Sequence, residues 1–172
     1  MKALLFVILL VTSFKAQGED TIATIKREAE NCAKALLSTN YDTIVLYTHP
    51  RVVKAVGGKD AMIAGLKQGI SQMQASGSGF LEVTVGQPSE PKKIGSWLTS
   101  TIPQHLVLKV PGGKLSKDSA LLGISEDEGK HWVFVDLGPV TKEQLVQILP
   151  ELDEKITIPE KKPPTFTKDE GA

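Results

Sequence analysis

The hydrophobic period of the chain changes once, near Gly77 and Gly79, and this change limits the possible folds more than any other feature. Before these glycines, apolar residues recur every three or four positions, as on one face of an α-helix. After them, apolar and polar residues alternate, as in strands with one buried face. This order predicts an α+β domain in which N-terminal helices pack on a strongly curved antiparallel meander sheet, a cone-shaped half-barrel.

Three helices are predicted in the first half of the chain. The first begins at Asp20, whose side chain is suited to cap it, and continues for about five turns. The second starts at Asp42 and must end at His49, because a residue that precedes a proline, here Pro50, is pushed out of the helical region. The third follows a glycine pair and ends near Ala75.

The strands are predicted where apolar residues alternate with polar ones, and glycine-containing turns separate them. The predicted strands cover residues 81–85, a segment within 92–101, and residues 106–110, 120–124 and 132–134. A last short helix is expected to begin at Thr141, whose hydroxyl can cap it, and to end at Pro150.

Residues 1–18 have the pattern of a secretory signal peptide, with a basic start, an uncharged apolar run and small residues at Ala16 and Gly18. The apolar run is shorter than the roughly 20 residues that span a bilayer. We therefore expect an exported protein, periplasmic or secreted, without a stable membrane anchor after cleavage.

The rest of the chain is expected to form one domain, residues 19–158, followed by a disordered tail, residues 159–172. Apart from Phe166 and a terminal alanine, that tail holds little apolar surface to bury. Cys32 is the only cysteine, so an intrachain disulfide is impossible, and its helical spacing favours a buried position.

The charge balance argues against nucleic acid and anionic membranes as partners. Removal of residues 1–18 would leave 18 basic and 20 acidic residues, a formal net charge of −2. The three histidines, His49, His105 and His131, share no short metal-ligand spacing, and a single cysteine does not suffice for a zinc site. We therefore expect neither a metal nor a cofactor.

Residues 125–132 read SEDEGKHW and fit the pattern S-x-D-x-G-x-x-W, which resembles the Asp-box of sialidases and other propeller proteins. A propeller needs about four or more blades, each with its own motif, and this chain holds one copy. We interpret the motif as a structural turn: Ser125 and Asp127 bond the backbone, Gly129 adopts a positive φ, and Trp132 packs beneath. Glycan recognition by this hairpin is the alternative.

From residue 21 to residue 138 the chain resembles the nuclear transport factor 2-like superfamily, which includes ketosteroid isomerase, scytalone dehydratase and SnoaL-type cyclases. The resemblance is carried by the Asn-Tyr-Asp break at residues 40–42, the pair His49 and Pro50, the start of the third helix at residues 58–60, and a meander that ends in HWVFVD. It implies a cone-shaped half-barrel with a pocket between the helices and the concave sheet face, often in a homodimer.

The resemblance does not carry the isomerase site with it. The isomerases place a tyrosine on the first helix and a proton-moving aspartate further on, and these positions hold Cys32 and Ala55 here. The nearest approximation to a dehydratase site is His49 with Tyr47 and Asp42, which are the candidate catalytic residues.

The candidate pocket-lining residues are Tyr47, His49, Trp97 and His105. The favoured hypothesis is an exported, non-enzymatic domain that holds a small apolar molecule or a protein partner in or around the cone. Two alternatives stay open: a lyase, isomerase or hydrolase using His49 with Tyr47 or Asp42, and a dimeric interaction module without a usable pocket.

Overall fold

The computed structural model describes residues 8–169, with the side chains of residues 20–152 and 156–169. The first seven residues of the predicted signal peptide and the last three of the predicted tail lie outside this part. The elements in chain order are α1 (Ile8–Leu37), α2 (Tyr41–Tyr47), α3 (Pro50–Ala55), α4 (Lys59–Ala75), β1 (Gly79–Val85), β2 (Lys92–Ile94), β3 (Trp97–Val110), β4 (Gly113–Ser125), β5 (Val133–Asp136), α5 (Lys142–Ile148), a 3-10 helix (Pro150–Lys155) and β6 (Thr165–Lys168).

The sheet confirms the predicted fold class. Its strand order is β1-β3-β4-β5, with β2 paired to β3 and β6 paired to β4, and every pair is antiparallel. The six strands form a curled half-barrel that follows the helices in the chain. The long β3–β4 hairpin turns at Pro111 and Gly112, as the sequence predicts, and Gly112 has the positive φ that the turn requires.

Two helix boundaries differ from the sequence-based expectation. The described part of the first helix already extends from Ile8, well before the predicted start at Asp20. The chain also re-enters a helix directly after His49, since a proline is well suited to the first helical position. His49 is therefore the N-cap of α3, and only Thr48, the C-cap of α2, separates it from α2.

The two faces of the sheet are covered by different helices, because successive side chains of a strand point to opposite faces. On one face, Ile102 and Leu121 pack with Ile25 and Ala29 of α1. On the other face, Leu122 and its neighbours pack against α5 and the 3-10 helix. The prediction of N-terminal helices on the curved sheet is confirmed, and a second, C-terminal layer covers the opposite face.

The C-terminal layer is fixed by its helix cap and by three leucines. Thr141 and Gln144 form a reciprocal capping box at the start of α5. Leu145, Leu149 and Leu152 are completely or almost completely buried. Each such leucine stabilises the fold by roughly 1.5–3 kcal/mol relative to an exposed position.

The tail differs from the disorder expected for residues 159–172. Residues 165–168 form β6, which pairs with the first residues of β4, from Gly113 to Ser116. All four β6 residues are exposed, so backbone hydrogen bonds rather than buried side chains hold the strand in place. The amino-acid composition of the tail gives no sign of such bonds. Pairing on this edge is possible because β5 covers only the distal half of β4.

We predict that Gly113→Ala detaches β6 while the domain stays folded. A Cβ at Gly113 would lie 2.2 Å from the backbone oxygen of Thr167 and 2.8 Å from the ring of Phe166. Amide hydrogen exchange of residues 165–168 should rise to the rate of an unprotected chain. Gly79→Ala is the matched control, since a Cβ at this strand position meets nothing within 4 Å. Unchanged protection in Gly113→Ala would contradict the close approach.

Candidate functional site

A cavity of about 260 Å³ lies between the N-terminal helices and the sheet face that α1 covers. Most of its lining is apolar, and helices α1 to α4 and strands β3 to β5 all contribute to it. The lining residues are Cys32, Ala33, Leu36, Ile44, Tyr47, Thr48, Val52, Met62, Leu66, Gln104, Leu121, Phe134, Val135, Asp136, Pro139 and Val140.

Helix α4 covers the cavity without being buried in the core. Met62 and Leu66 of this helix line the cavity. They are half-buried, like the other residues of the apolar stripe of α4. No residue of α4 is fully buried. The helix therefore presents an apolar surface to the cavity rather than to close-packed side chains.

Tyr47 is the one predicted pocket residue that lines the cavity. Its ring lies beside Phe134, with the ring centres 6.2 Å apart. Its hydroxyl donates to Glu28 Oε2 at 2.6 Å and accepts from Asn31 Nδ2 at 3.3 Å. Burial, and then the bond to Glu28, raise the pKa of Tyr47, while the same bond lowers the pKa of Glu28. The hydroxyl is thus engaged by α1.

His49 does not line the cavity, because the chain turns it into the opposite core. The His49 N–H donates to the carbonyl of Phe134 at 3.1 Å, which fixes this segment to the edge of β5. The imidazole is 1% exposed and lies against the ring of Trp97 at 5.7 Å. Its Nδ1 accepts from the N–H of Arg51 at 3.2 Å and caps α3.

The other ring nitrogen of His49 is buried without a hydrogen bond. Nε2 lies 3.4 Å from a carboxylate oxygen of Glu126 and has no hydrogen-bond partner among the described residues. Burial lowers the pKa of His49 below its usual value, and the charge of Arg51 acts in the same direction, while Glu126 opposes both. His49 is therefore kept neutral as a structural cap.

Asp42 completes the candidate catalytic set and lies apart from it. Its carboxylate pairs with Lys59 at 2.6 Å on the exposed surface, and this hydrogen bond lowers the pKa of Asp42. Tyr47, His49 and Asp42 are thus engaged in three separate interactions, which the structure does not bring together into one constellation.

Trp97 and His105 lie on the sheet face opposite the cavity. Ile102 and Gln104 of β3 face α1 and the cavity. Trp97 and His105 are an odd number of residues away from Ile102, so their side chains point to the other face of the strand. Trp97 is buried in the C-terminal core, and Arg51 lies over its ring at 5.3 Å. His105 is half-exposed and pairs with Asp118 at 2.7 Å.

The Asp-box-like turn is held together by its own side chains. The Ser125 hydroxyl donates to Asp127 Oδ1 at 2.9 Å and accepts from the N–H of Gly129 at 2.8 Å. Asp127 also accepts from the N–H and ring of His131, and these bonds hold its pKa far below the usual range. Gly129 has a φ of 89°, and the indole of the buried Trp132 donates to the Gly129 carbonyl at 3.0 Å.

Four polar residues that the sequence analysis did not assign to the pocket border the cavity: Cys32, Thr48, Gln104 and Asp136. Gln104 is only 7% exposed, and its side chain makes no hydrogen bond to a described residue. Asp136 lies at the exposed rim, and burial together with the Asp136 charge raises the pKa of Cys32 to about 11. The alternation of Ile102, Gln104 and Leu106 could have identified Gln104 as a polar residue at an inward position.

Neither a metal site nor a membrane span is found among the described residues. No group of three or more histidine, cysteine or acidic side chains among them could hold a metal ion. Within the same part of the chain, no helix combines the length and apolar character that a membrane span needs. No protein-family model, curated protein or solved structure matches the chain.

We predict that His49 makes the fold less stable below neutral pH. Because the folded-state pKa of His49 lies below its ordinary value of 6.5, the unfolded chain binds the extra proton first. The stability is therefore full above about pH 6.5 and declines as the pH falls, by at most about 1.4 kcal/mol per pH unit.

His49→Asn tests this because asparagine keeps an oxygen that can cap α3 but does not titrate. Urea unfolding from pH 7.5 to pH 5 should give a flatter pH dependence for His49→Asn than for the native chain. The variant His105→Asn, at a half-exposed histidine, serves as the comparison. Parallel curves for the native chain and His49→Asn would contradict the buried, neutral state.

Proposed function

We propose that this protein is a non-enzymatic binding domain that holds a small apolar molecule in the cavity between its helices and its curved sheet. The observation that carries the proposal is the predominantly apolar lining of the cavity, to which seven elements contribute side chains. Concave, mainly apolar sites with a few polar groups are typical of small-molecule sites.

The size of the cavity indicates the size of the ligand. A cavity of ~150 Å³ is known to hold benzene, so by proportion a cavity of about 260 Å³ suits a molecule of roughly ten non-hydrogen atoms. A larger ligand would extend past the exposed rim at Asp136. A protein segment would need a longer groove than this cavity, which favours the small molecule over a protein partner.

The side-chain chemistry favours binding over catalysis. The candidate base His49 has its Nδ1 occupied as a helix cap, and its ring packs in the core on the other side of the sheet. The thiol of Cys32 has a pKa of about 11, so it is a poor nucleophile at neutral pH. Among the described lining residues, Asp136 is the only carboxylate, and none is a histidine or a lysine, so the lining lacks the usual pairs of a general acid and a general base.

We further propose that the fold is the nuclear transport factor 2-like cone and that the protein is exported. The curled antiparallel half-barrel behind N-terminal helices supports the first proposal. The signal-peptide pattern of residues 1–18 supports the second. A homodimer, which is frequent in this superfamily, stays a proposal beside these.

We predict that the protein binds propylbenzene, which has nine non-hydrogen atoms, and that Ala33→Phe weakens this binding at least about tenfold. The phenyl ring would occupy the cavity from α1, because Ala33 is a buried lining residue. Isothermal titration calorimetry measures the affinity, and hydrogen exchange checks that the variant stays folded.

Ala64→Phe is the matched control for this experiment. It adds the same ring to an exposed position of α4 that does not line the cavity, and it should leave propylbenzene binding unchanged. If the native chain does not bind propylbenzene, or if both variants bind it equally well, the proposed function is wrong.

A further inference from the structure

Two polar residues of the cavity, Gln104 and Asp136, lie on one face of the sheet, on strands that are separated by β4. Gln104 of β3 is paired with Ser119 of β4, and the Ser119 hydroxyl donates to Asp136 Oδ1 of β5 at 3.3 Å. The same carboxylate oxygen accepts from the N–H of Gly138 at 2.8 Å, which fixes the orientation of the Asp136 carboxylate. The cavity therefore has a polar patch, formed by Gln104 and Asp136, within an apolar lining.

Gln104 is unusual because it is more than nine-tenths buried and lines the cavity without a partner. Its amide offers two N–H donors and one carbonyl acceptor, and no described residue makes a hydrogen bond with any of them. The amide atoms are not among the fully buried polar atoms that lack a partner, so they face space that solvent can enter. Gln104 borders this cavity and also a second hollow beside Val85 and Ser119, and the cavity is the apolar one of the two spaces from which a partner can reach the amide.

The charge of Asp136, two strands away from Gln104 on the same sheet face, indicates which polar groups suit the patch. Asp136 is a carboxylate, and Oδ2 accepts no hydrogen bond from a described residue. The thiol of Cys32 is the third polar group there, and it carries no charge at neutral pH. The patch is rich in acceptors and negatively charged, so a hydrogen-bond donor fits it and an anion is repelled.

We propose that the ligand of this cavity carries a hydrogen-bond-donating head group, a hydroxyl or an amine, which Gln104 and Asp136 bind while its apolar body occupies the rest of the cavity. This inference rests on the proposed function and names its ligand class. It excludes fatty acids and other carboxylates as the preferred ligands.

Four compounds with the same nine-carbon skeleton test the head-group preference. They are propylbenzene, 3-phenylpropan-1-ol, 3-phenylpropylamine and 3-phenylpropanoate, each titrated into the protein at pH 7. We expect the alcohol and the amine to bind about fivefold more tightly than propylbenzene, and the carboxylate to bind more weakly. Equal affinity for all four, or tightest binding of the carboxylate, overturns the inference.

Two variants separate the roles of the two residues. Gln104→Met keeps the length of the side chain and removes its polar atoms, so propylbenzene should bind more tightly than to the native chain and the alcohol should lose its advantage. Asp136→Asn removes the charge at an exposed position and should strengthen binding of the carboxylate and weaken that of the amine. If neither variant changes the order of affinities, the polar patch does not select the ligand.

The outcomes distinguish this inference from the proposed function. If propylbenzene itself does not bind to the native chain, the cavity is not a binding site and both proposals fail. If propylbenzene binds but the head group makes no difference, the apolar binding site stands and the proposed head-group recognition is wrong. Hydrogen exchange verifies that Gln104→Met is folded. If Gln104→Met does not fold, Asp136→Asn still gives an independent result.

Discussion

The register of the β3–β4 hairpin is the constraint on which the rest of the structure depends. The two strands pair without interruption from Leu98 and Ser125 to Val110 and Gly113. Because side chains alternate along a strand, a slip of one residue would move every side chain to the other face. Leu121 and Leu122 would then exchange places between the core under α1 and the core under α5. The register of this one hairpin therefore determines both cores. It also determines which side chains form the sheet side of the cavity.

The edge of β5 connects this hairpin to the helical half. Thr48 makes a bridge to Phe134, and the N–H of His49 donates to the carbonyl of the same residue. This short attachment leaves Tyr47 on the cavity side and turns the imidazole of His49 toward the C-terminal core. Two residues that are close in the chain consequently have unrelated environments, so their proximity in sequence says nothing about joint chemistry.

The fold was largely predictable from the sequence, whereas the lining of the cavity was not. The change of hydrophobic period, the Pro111 and Gly112 turn and the Thr141 cap are local signals, and local rules interpret them. Alternation also shows that Trp97 and His105 share a face, but which face curves around the cavity is decided by the packing of α1. The pairing of β6 depends on a free strand edge far away in the chain, which composition does not reveal.

The buried residues His49 and Gln104 both lack a complete set of side-chain partners, but only His49 has a fully buried polar atom without one. His49 keeps one nitrogen as a helix cap and packs its ring against Trp97, so its local structural role outweighs the unsatisfied Nε2. Gln104 caps nothing and bonds to no described residue, so a purely structural position would be occupied better by leucine or methionine.

Solvent that enters an open cavity can satisfy the Gln104 amide. A ligand that displaces this solvent keeps its affinity only by replacing those hydrogen bonds. An amide at this position therefore raises the cost of binding a purely apolar molecule and lowers it for one with a donor, which is how a largely apolar cavity acquires selectivity.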